Sequence, residues 1–159
     1  MKLLVCLFLM LVSSKECQNK KSSFNDSNNK KAEMPLLQDT LKIVYRASTR
    51  GFFEVIQIEG DSIFFIKDYN LKKIDTVILP PEDKTSLLNL VNSIDINELT
   101  QLEPPSKTHQ YDAAPAAFLK ITKGDKEFMT PSFDHGNPPK TIKPLVDKIL
   151  SLKTLFEKP

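Results

Sequence analysis

Four short apolar runs between Leu41 and Leu79 place the strongest constraint on the fold of this chain. They are rich in β-branched and aromatic residues, and each break between them is a short turn-forming segment. Connections this short join antiparallel neighbours, whereas parallel strands need a crossover of about a dozen residues. The pattern therefore predicts four antiparallel strands, at Leu41–Ala47, Phe52–Ile58, Ile63–Lys67 and Ile74–Leu79.

The second half of the chain predicts a helix, a hairpin and a second helix. Pro80 and Pro81 end the fourth strand, and the acidic pair Glu82 and Asp83 suits the first turn of a helix that continues to Val91. A short further helical turn is predicted over Ile94–Leu99. The segments Ala116–Thr122 and Lys126–Thr130 flank Lys123-Gly124-Asp125, which is a strong hairpin signal. Thr141 is the predicted cap of a last helix, in which apolar residues repeat at helical spacing as far as Phe156.

This order of elements predicts an α+β fold, with an antiparallel sheet of about six strands and the helices packed on one face. The adjacent pairs Phe52-Phe53 and Phe64-Phe65 place an aromatic side chain on each side of two strands. Two interpretations are open. The phenylalanines either fill a small core or leave an apolar sheet face for a ligand or partner.

Residues 1–16 read as a signal peptide, in which Lys2 precedes the unbroken apolar run Leu3–Val12. Ten residues of helix span roughly 15 Å, about half of the hydrocarbon thickness of a bilayer, so the run suits a cleaved leader better than a permanent span. Cys17 follows where a bacterial lipoprotein carries its acylated N-terminal cysteine. The alternative is ordinary cleavage after Ser14, which would leave Cys17 as a lone thiol.

The segment Cys17-Gln18-Asn19-Lys20-Lys21 resembles the start of many Bacteroidetes lipoproteins. The segment Tyr111–Ile121, together with Pro138-Pro139-Lys140 and the last helix, resembles the C-terminal part of uncharacterised lipoproteins of the same group. The resemblance implies an exported protein that is anchored to a membrane, the outer membrane above all, facing the periplasm or the cell surface. It implies no activity.

Residues 17–38 are predicted to be the lipidated N-terminus and a flexible tether, and residues 39–159 a single domain. The polar stretch 18–33 has Phe24 as its one aromatic residue and cannot bury enough apolar surface to offset its ordering entropy. The basic excess of the chain, 22 Lys and Arg against 20 Asp and Glu, resides in this tether. Because the domain has no basic cluster with interleaved aromatics, nucleic acid is not an expected partner.

The chain contains no glycine-rich phosphate loop, GxSxG, HExxH or CxxC motif, and no cofactor is predicted. One group of residues is a candidate ligand or metal cluster. If Thr122 pairs with Lys126, the ladder brings Ala113 near His135 and Ala114 near Asp134, so that the loops 103–115 and 131–139 leave the same end of the sheet. The cluster is His109, Asp112, Asp134 and His135. These residue types can ligate zinc, but each of them is also an ordinary turn or loop residue.

Two functional hypotheses follow. The first is a non-enzymatic envelope lipoprotein that binds an envelope protein or other ligand through its sheet face or its long loops. The second is a small metal-dependent or hydrolytic enzyme centred on His109, Asp112, Asp134 and His135. The absence of any motif with fixed spacing favours the first.

Overall fold

The computed structural model describes residues 41–111 and 113–157. The predicted leader (1–16), the acylation site Cys17 and the tether that extends to residue 38 lie outside the described residues. Asp112 also lies outside them.

Seven strands form one antiparallel sheet, in the order β4-β3-β2-β1-β5-β6, and the short β7 pairs with β5. Their bounds are β1 Leu41–Thr49, β2 Phe52–Glu59, β3 Ser62–Ile66, β4 Ile74–Ile78, β5 Ala116–Lys123, β6 Lys126–Met129 and β7 Phe133–Asp134. The prediction of an α+β fold with a meander and a later hairpin is confirmed. The two-residue β7 is an addition, because its segment was expected to be loop.

Two α-helices accompany the sheet, α1 at Pro81–Asn92 and α2 at Lys143–Ser151. Short 3₁₀ helices occupy Ile96–Gln101, Thr108–Tyr111, Lys140–Ile142 and Leu152–Leu155. The expectation that Thr141 caps the last helix is wrong, because Thr141 lies inside the turn that leads into α2, and α2 has no side-chain cap. None of the helices in the described part of the chain is long and apolar enough to cross a membrane.

Alternate residues of the central strands form the core with the helices. Ile43, Tyr45 and Ala47 of β1 are buried, as their alternation with Lys42, Val44 and Arg46 predicts. The same core contains Leu87 and Val91 of α1 and the buried face of α2, which consists of Leu145, Val146 and Ile149. Both helices therefore cover one face of the sheet.

The opposite face of the sheet, which we call the open face, carries a second and smaller apolar group. Phe53, Val55 and Ile66 are buried there with Val44 beside them. Tyr69 stacks on Phe53 with ring centroids 4.4 Å apart, and the guanidinium of Arg46 lies 5.1 Å from the centre of the same ring. Neither α1 nor α2 packs on this face.

The hairpin register differs from the prediction by one residue. Lys123, rather than Thr122, pairs with Lys126, because the turn contains only Gly124 and Asp125. Gly124 has a φ of +57°, and a two-residue hairpin with glycine in this first position matches the twist of the strands. The predicted three-residue turn is therefore wrong.

A second shift follows at the far end of the hairpin. Lys120 pairs with Met129, and the next pairs are Ala117 with Phe133 and Ala116 with Asp134. Between these pairs the segment after Met129 contains one residue more than the segment of β5 opposite it. Pro131 lies in this extra segment and has no N–H to contribute to the ladder. The predicted proximity of Ala114 to Asp134 is therefore wrong by two residues.

Candidate functional site

The carboxylate of Asp134 accepts hydrogen bonds from five donors of the loop 103–115. Its Oδ2 receives the hydroxyls of Ser106 (2.5 Å) and Thr108 (2.7 Å) and the N–H of Thr108 (3.0 Å). Its Oδ1 receives the N–H of His109 (2.7 Å) and Nδ1 of the same residue (2.6 Å). Asp134 is 4% exposed. Residues separated by at least 25 positions in sequence are thus joined at one carboxylate.

These hydrogen bonds also set the protonation of the group. Burial alone would raise the pKa of Asp134, but the hydrogen bonds from Ser106, His109 and Thr108 outweigh it and hold the pKa well below its usual range. An ionised carboxylate only accepts hydrogen bonds, so Nδ1 of His109 must carry the proton. The remaining nitrogen, Nε2, is then the basic atom of the imidazole ring when the ring is neutral.

His109 lines a shallow cleft of about 320 Å³ between the two loops. The cleft also contains polar side chains from both loops, among them Glu103, Lys107, Gln110 and Ser132. The side chain of His109 is 9% exposed. A buried carboxylate that orients an imidazole toward a cleft is an arrangement used for proton transfer and for metal ligation, and it also serves to hold a loop in place.

His135 belongs to a different environment from Asp134. Its Nδ1 lies 2.7 Å from the hydroxyl of Tyr45, a residue with no exposed surface, and its ring centre lies 5.4 Å from that of Phe52. Burial lowers the pKa of His135, and the positive charge of Lys153 lowers it further, while the carboxylate of Glu54 acts in the opposite direction. Burial also raises the pKa of the Tyr45 hydroxyl, which is therefore a hydrogen-bond donor at neutral pH.

The candidate cluster is divided by the alternation of an extended chain. Asp134 and His135 are consecutive, and successive side chains in a strand point to opposite faces of the sheet. Asp134 therefore contacts the loop that contains His109, while His135 contacts the core side of β1 and β2. The structure brings His109 and Asp134 together and directs His135 elsewhere. Asp112 lies outside the described residues.

Glu54 provides a second buried carboxylate, on the core side of β2 near His135. It is 4% exposed, and its Oε1 lies 2.7 Å from Nζ of Lys153 in the last 3₁₀ turn. The contact is an ion pair, and Oε1 has no hydrogen-bond partner among the described residues. We name Tyr45, Glu54, His135 and Lys153 the tyrosine cluster. It connects the central strands to the C-terminal helical segment.

The chemistry open to these groups is limited by their separation. Within residues 41–111 and 113–157, no three His, Cys, Asp or Glu side chains converge as metal ligands. Asp134 already accepts five hydrogen bonds, so in any metal or proton-transfer role it orients His109 and does not itself bind the ligand. Because Nδ1 of His109 is bonded to Asp134, the nitrogen of this ring that is left for a ligand is Nε2.

Several residues of these two sites were missed by sequence reasoning. One signal was present for Glu54, because it shares a strand face with Phe52, Ile56 and Ile58 and so places a carboxylate among core positions. Nothing in the sequence pattern indicates that Ser106 and Thr108 would meet Asp134. Their contact depends on how two irregular loops fold.

No family model matches this chain, and no curated protein is significantly similar to it.

Proposed function

We propose that this protein is a non-enzymatic envelope lipoprotein whose domain binds another envelope component through the open face of its sheet. The observation that carries the proposal is the open face itself. Both α-helices cover the other face, yet the open face displays half-buried apolar side chains such as Val44, Phe64 and Phe118 beside the buried group at Phe53. An apolar surface of this kind on a secreted domain is typical of an interaction site.

The charges on the open face suggest what the partner presents. Lys42 is paired with Glu59 at 3.3 Å, and Lys120 with Glu127 at 2.9 Å. Arg46 has no carboxylate partner among the described residues and stacks on Phe53 instead. A partner with an apolar centre and a carboxylate positioned to pair with Arg46 would complement this surface.

The loops support the same function, because they are held rigid at one end of the sheet. Asp134 fixes the loop 103–115, and the side-chain amide of Asn137 donates to the hydroxyl of Ser106 at 2.7 Å. A surface that is ordered before binding loses less conformational entropy on association. The domain therefore offers its partner a preformed surface.

The binding surface can be tested by photo-crosslinking in intact cells. A photoreactive phenylalanine analogue at Phe118 keeps an aromatic side chain on the open face, and the same analogue at the exposed Asn89 of α1 is the control. We expect a discrete adduct, heavier than two copies of this chain, from position 118 and not from position 89. Equal adducts from both positions, or none from 118, would refute the assignment of the open face.

The anchoring half of the proposal is supported by the position of Cys17, after the apolar leader and before the polar tether. Labelling cells with a clickable palmitate analogue should mark the wild-type protein. The Cys17→Ala variant should lose both the label and its place in the membrane fraction. An intact mass that corresponds to an unlipidated chain beginning at Lys15 would show that ordinary cleavage after Ser14 occurs instead.

The enzyme hypothesis has one observation in its favour, the orientation of His109 by Asp134 at the edge of the cleft. A metal held by Nε2 of His109 would stabilise the folded state by mass action. We expect added zinc to leave the melting temperature unchanged. A rise in melting temperature with zinc that His109→Gln abolishes would favour the enzyme.

A further inference from the structure

Strand β4 differs from the other long strands in its exposure. Four of its five residues are exposed, and Ile74 and Ile78 retain 50% and 78% of their surface. Among the described residues, β4 pairs only with β3 and so forms one edge of the sheet. An edge strand presents unpaired backbone groups that can pair with another strand.

The register with β3 shows which backbone groups of β4 are unpaired. The N–H of Leu79 donates to the carbonyl of Asp61 at 2.9 Å, which continues the ladder in which Val77 pairs with Ile63. Hydrogen-bonded pairs alternate along an antiparallel ladder, so Asp75, Val77 and Leu79 direct their backbone groups to β3. The N–H and C=O groups of Ile74, Thr76 and Ile78 therefore point away from the sheet.

These three residues are spaced symmetrically about Thr76. If a second β4 strand pairs antiparallel across a two-fold axis at Thr76, Ile74 lies opposite Ile78 of the second copy, and Ile78 lies opposite Ile74. All three positions then form hydrogen-bonded pairs, which makes six backbone hydrogen bonds. We propose that β4 pairs with β4 of a second copy of this chain, so that two sheets join into one.

The side chains are compatible with this pairing. Ile74 and Ile78 share the open-face side of the strand with Ile66 and Ser62, so each would cover an isoleucine of the second copy. The strand contains no proline and no lysine, which are residues that commonly block edge pairing. Apolar surface that is exposed in one copy would thus be covered in two.

Charge favours the antiparallel direction. Lys72 and Lys73 precede β4, while Asp61 lies beside its C-terminal end. Asp61 is already paired with Lys84, so the contribution of the two-fold arrangement is to separate the lysines: it places Lys73 opposite Leu79 of the second copy. Parallel pairing would instead set the two lysine pairs side by side. Because an interface of one short strand pair falls below about 1,200 Å², the dimer should be weak and concentration-dependent.

Cysteine crosslinking in intact cells tests the proposal, which does not depend on the proposed function. Cα atoms in a hydrogen-bonded antiparallel pair are about 5.5 Å apart, within the range that a disulfide spans, so Thr76→Cys should form a disulfide dimer under a mild oxidant. The exposed Thr85 of α1 provides the matched control as Thr85→Cys. Adding Ile78→Lys to Thr76→Cys should reduce the dimer at least about fivefold.

Any other product would overturn the proposal. No dimer from Thr76→Cys, equal dimer from Thr85→Cys, or an adduct with a different protein would each show that β4 does not pair with itself. Hydrogen exchange of the unsubstituted protein provides a second measurement. The amides of Ile74, Thr76 and Ile78 should exchange more slowly as protein concentration rises, while those of Asp75 and Val77 should not change. A uniform response across β4 would also overturn the pairing.

Discussion

Removal of the Tyr45 hydroxyl tests whether the tyrosine cluster stabilises the fold. Tyr45→Phe keeps the ring, which packs 6.3 Å from the ring of Phe133, and deletes only the oxygen that bonds to Nδ1 of His135. Because Tyr45 has no exposed surface, water cannot replace the lost donor without disturbing the core. The substitution therefore removes the hydrogen bonds of one buried hydroxyl, which contacts His135 and the backbone of Gly136.

The expected loss follows from the cost of an unpaired buried group. Leaving one buried partner unsatisfied costs about 1–3 kcal/mol. His135 is itself only partly buried, so we expect the lower half of that range, about 1–2 kcal/mol. For a domain of about 120 residues, each 1 kcal/mol lowers the melting temperature by roughly 4 °C, which gives a fall of about 4–8 °C.

Urea denaturation and calorimetry measure this loss, with Tyr111→Phe as the matched control. Tyr111 is 82% exposed, so loss of its hydroxyl should change stability by less than about 0.5 kcal/mol. A double-mutant cycle with His135→Phe should show that Tyr45 and His135 are coupled by about 1 kcal/mol. A Tyr45→Phe protein as stable as Tyr111→Phe, or a cycle without coupling, would refute the reasoning.

Three further predictions concern other polar groups. The buried hydroxyl of Thr122 has no hydrogen-bond partner among the described residues, whereas the hydroxyl of Thr130 accepts the N–H of Leu119 at 3.1 Å. Urea denaturation should therefore show that Thr130→Val is destabilised by about 1–2 kcal/mol, while Thr122→Val is unchanged or more stable. In Asp134→Asn, hydrogen exchange should show faster exchange at the backbone N–H groups that the carboxylate accepts; unchanged exchange there would contradict the loop-holding role of Asp134. Folding lowers the pKa of His135, so the contribution of this residue to the free energy of unfolding should be complete above about pH 6.5. As the pH drops toward the folded pKa, the free energy of unfolding should fall by at most about 1.4 kcal/mol per pH unit. His135→Gln should remove this dependence on pH and keep the separate loss of stability below about pH 4 that protonation of Asp134 causes.

The strands were predictable because local patterns and short turns determine them together. In β1, every second residue from Ile43 to Ala47 is apolar and buried, and the two-residue turn at Arg50-Gly51 permits only an antiparallel neighbour. The same logic located β2, β3 and β4 to within two residues at each end. Periodicity is sufficient where one face of an element is buried against the core.

The register beyond Met129 could not be obtained in this way. When a strand register is extrapolated from the turn, each error in the number of residues shifts all the pairs beyond it. Here the two-residue turn and the extra residue around Pro131 each shifted the register by one residue. Since a shift of one residue moves a side chain to the other face, an error of this size decides which residues meet. The candidate cluster was built from such an extrapolation, and its members were therefore assigned to one site without regard to the faces they occupy.

Asp134 and His135 are neighbours in sequence, but each of them stabilises a different part of the fold. Asp134 uses its acceptor capacity to order a loop, and His135 accepts a hydrogen bond from the buried Tyr45 hydroxyl, so both residues contribute chiefly to rigidity. Among the described residues, Ile74 and Ile78 of β4 and Met129 of β6 are large apolar side chains that are exposed on the open-face side of the sheet, while Leu71 and Tyr111 are exposed in loops. We expect binding energy to come from covering the apolar groups on the sheet, because the Asp134 carboxylate and the Tyr45 hydroxyl already have their partners within the fold. A partner for this protein is therefore expected to recognise the shape and apolar surface of the sheet rather than the charges of its loops.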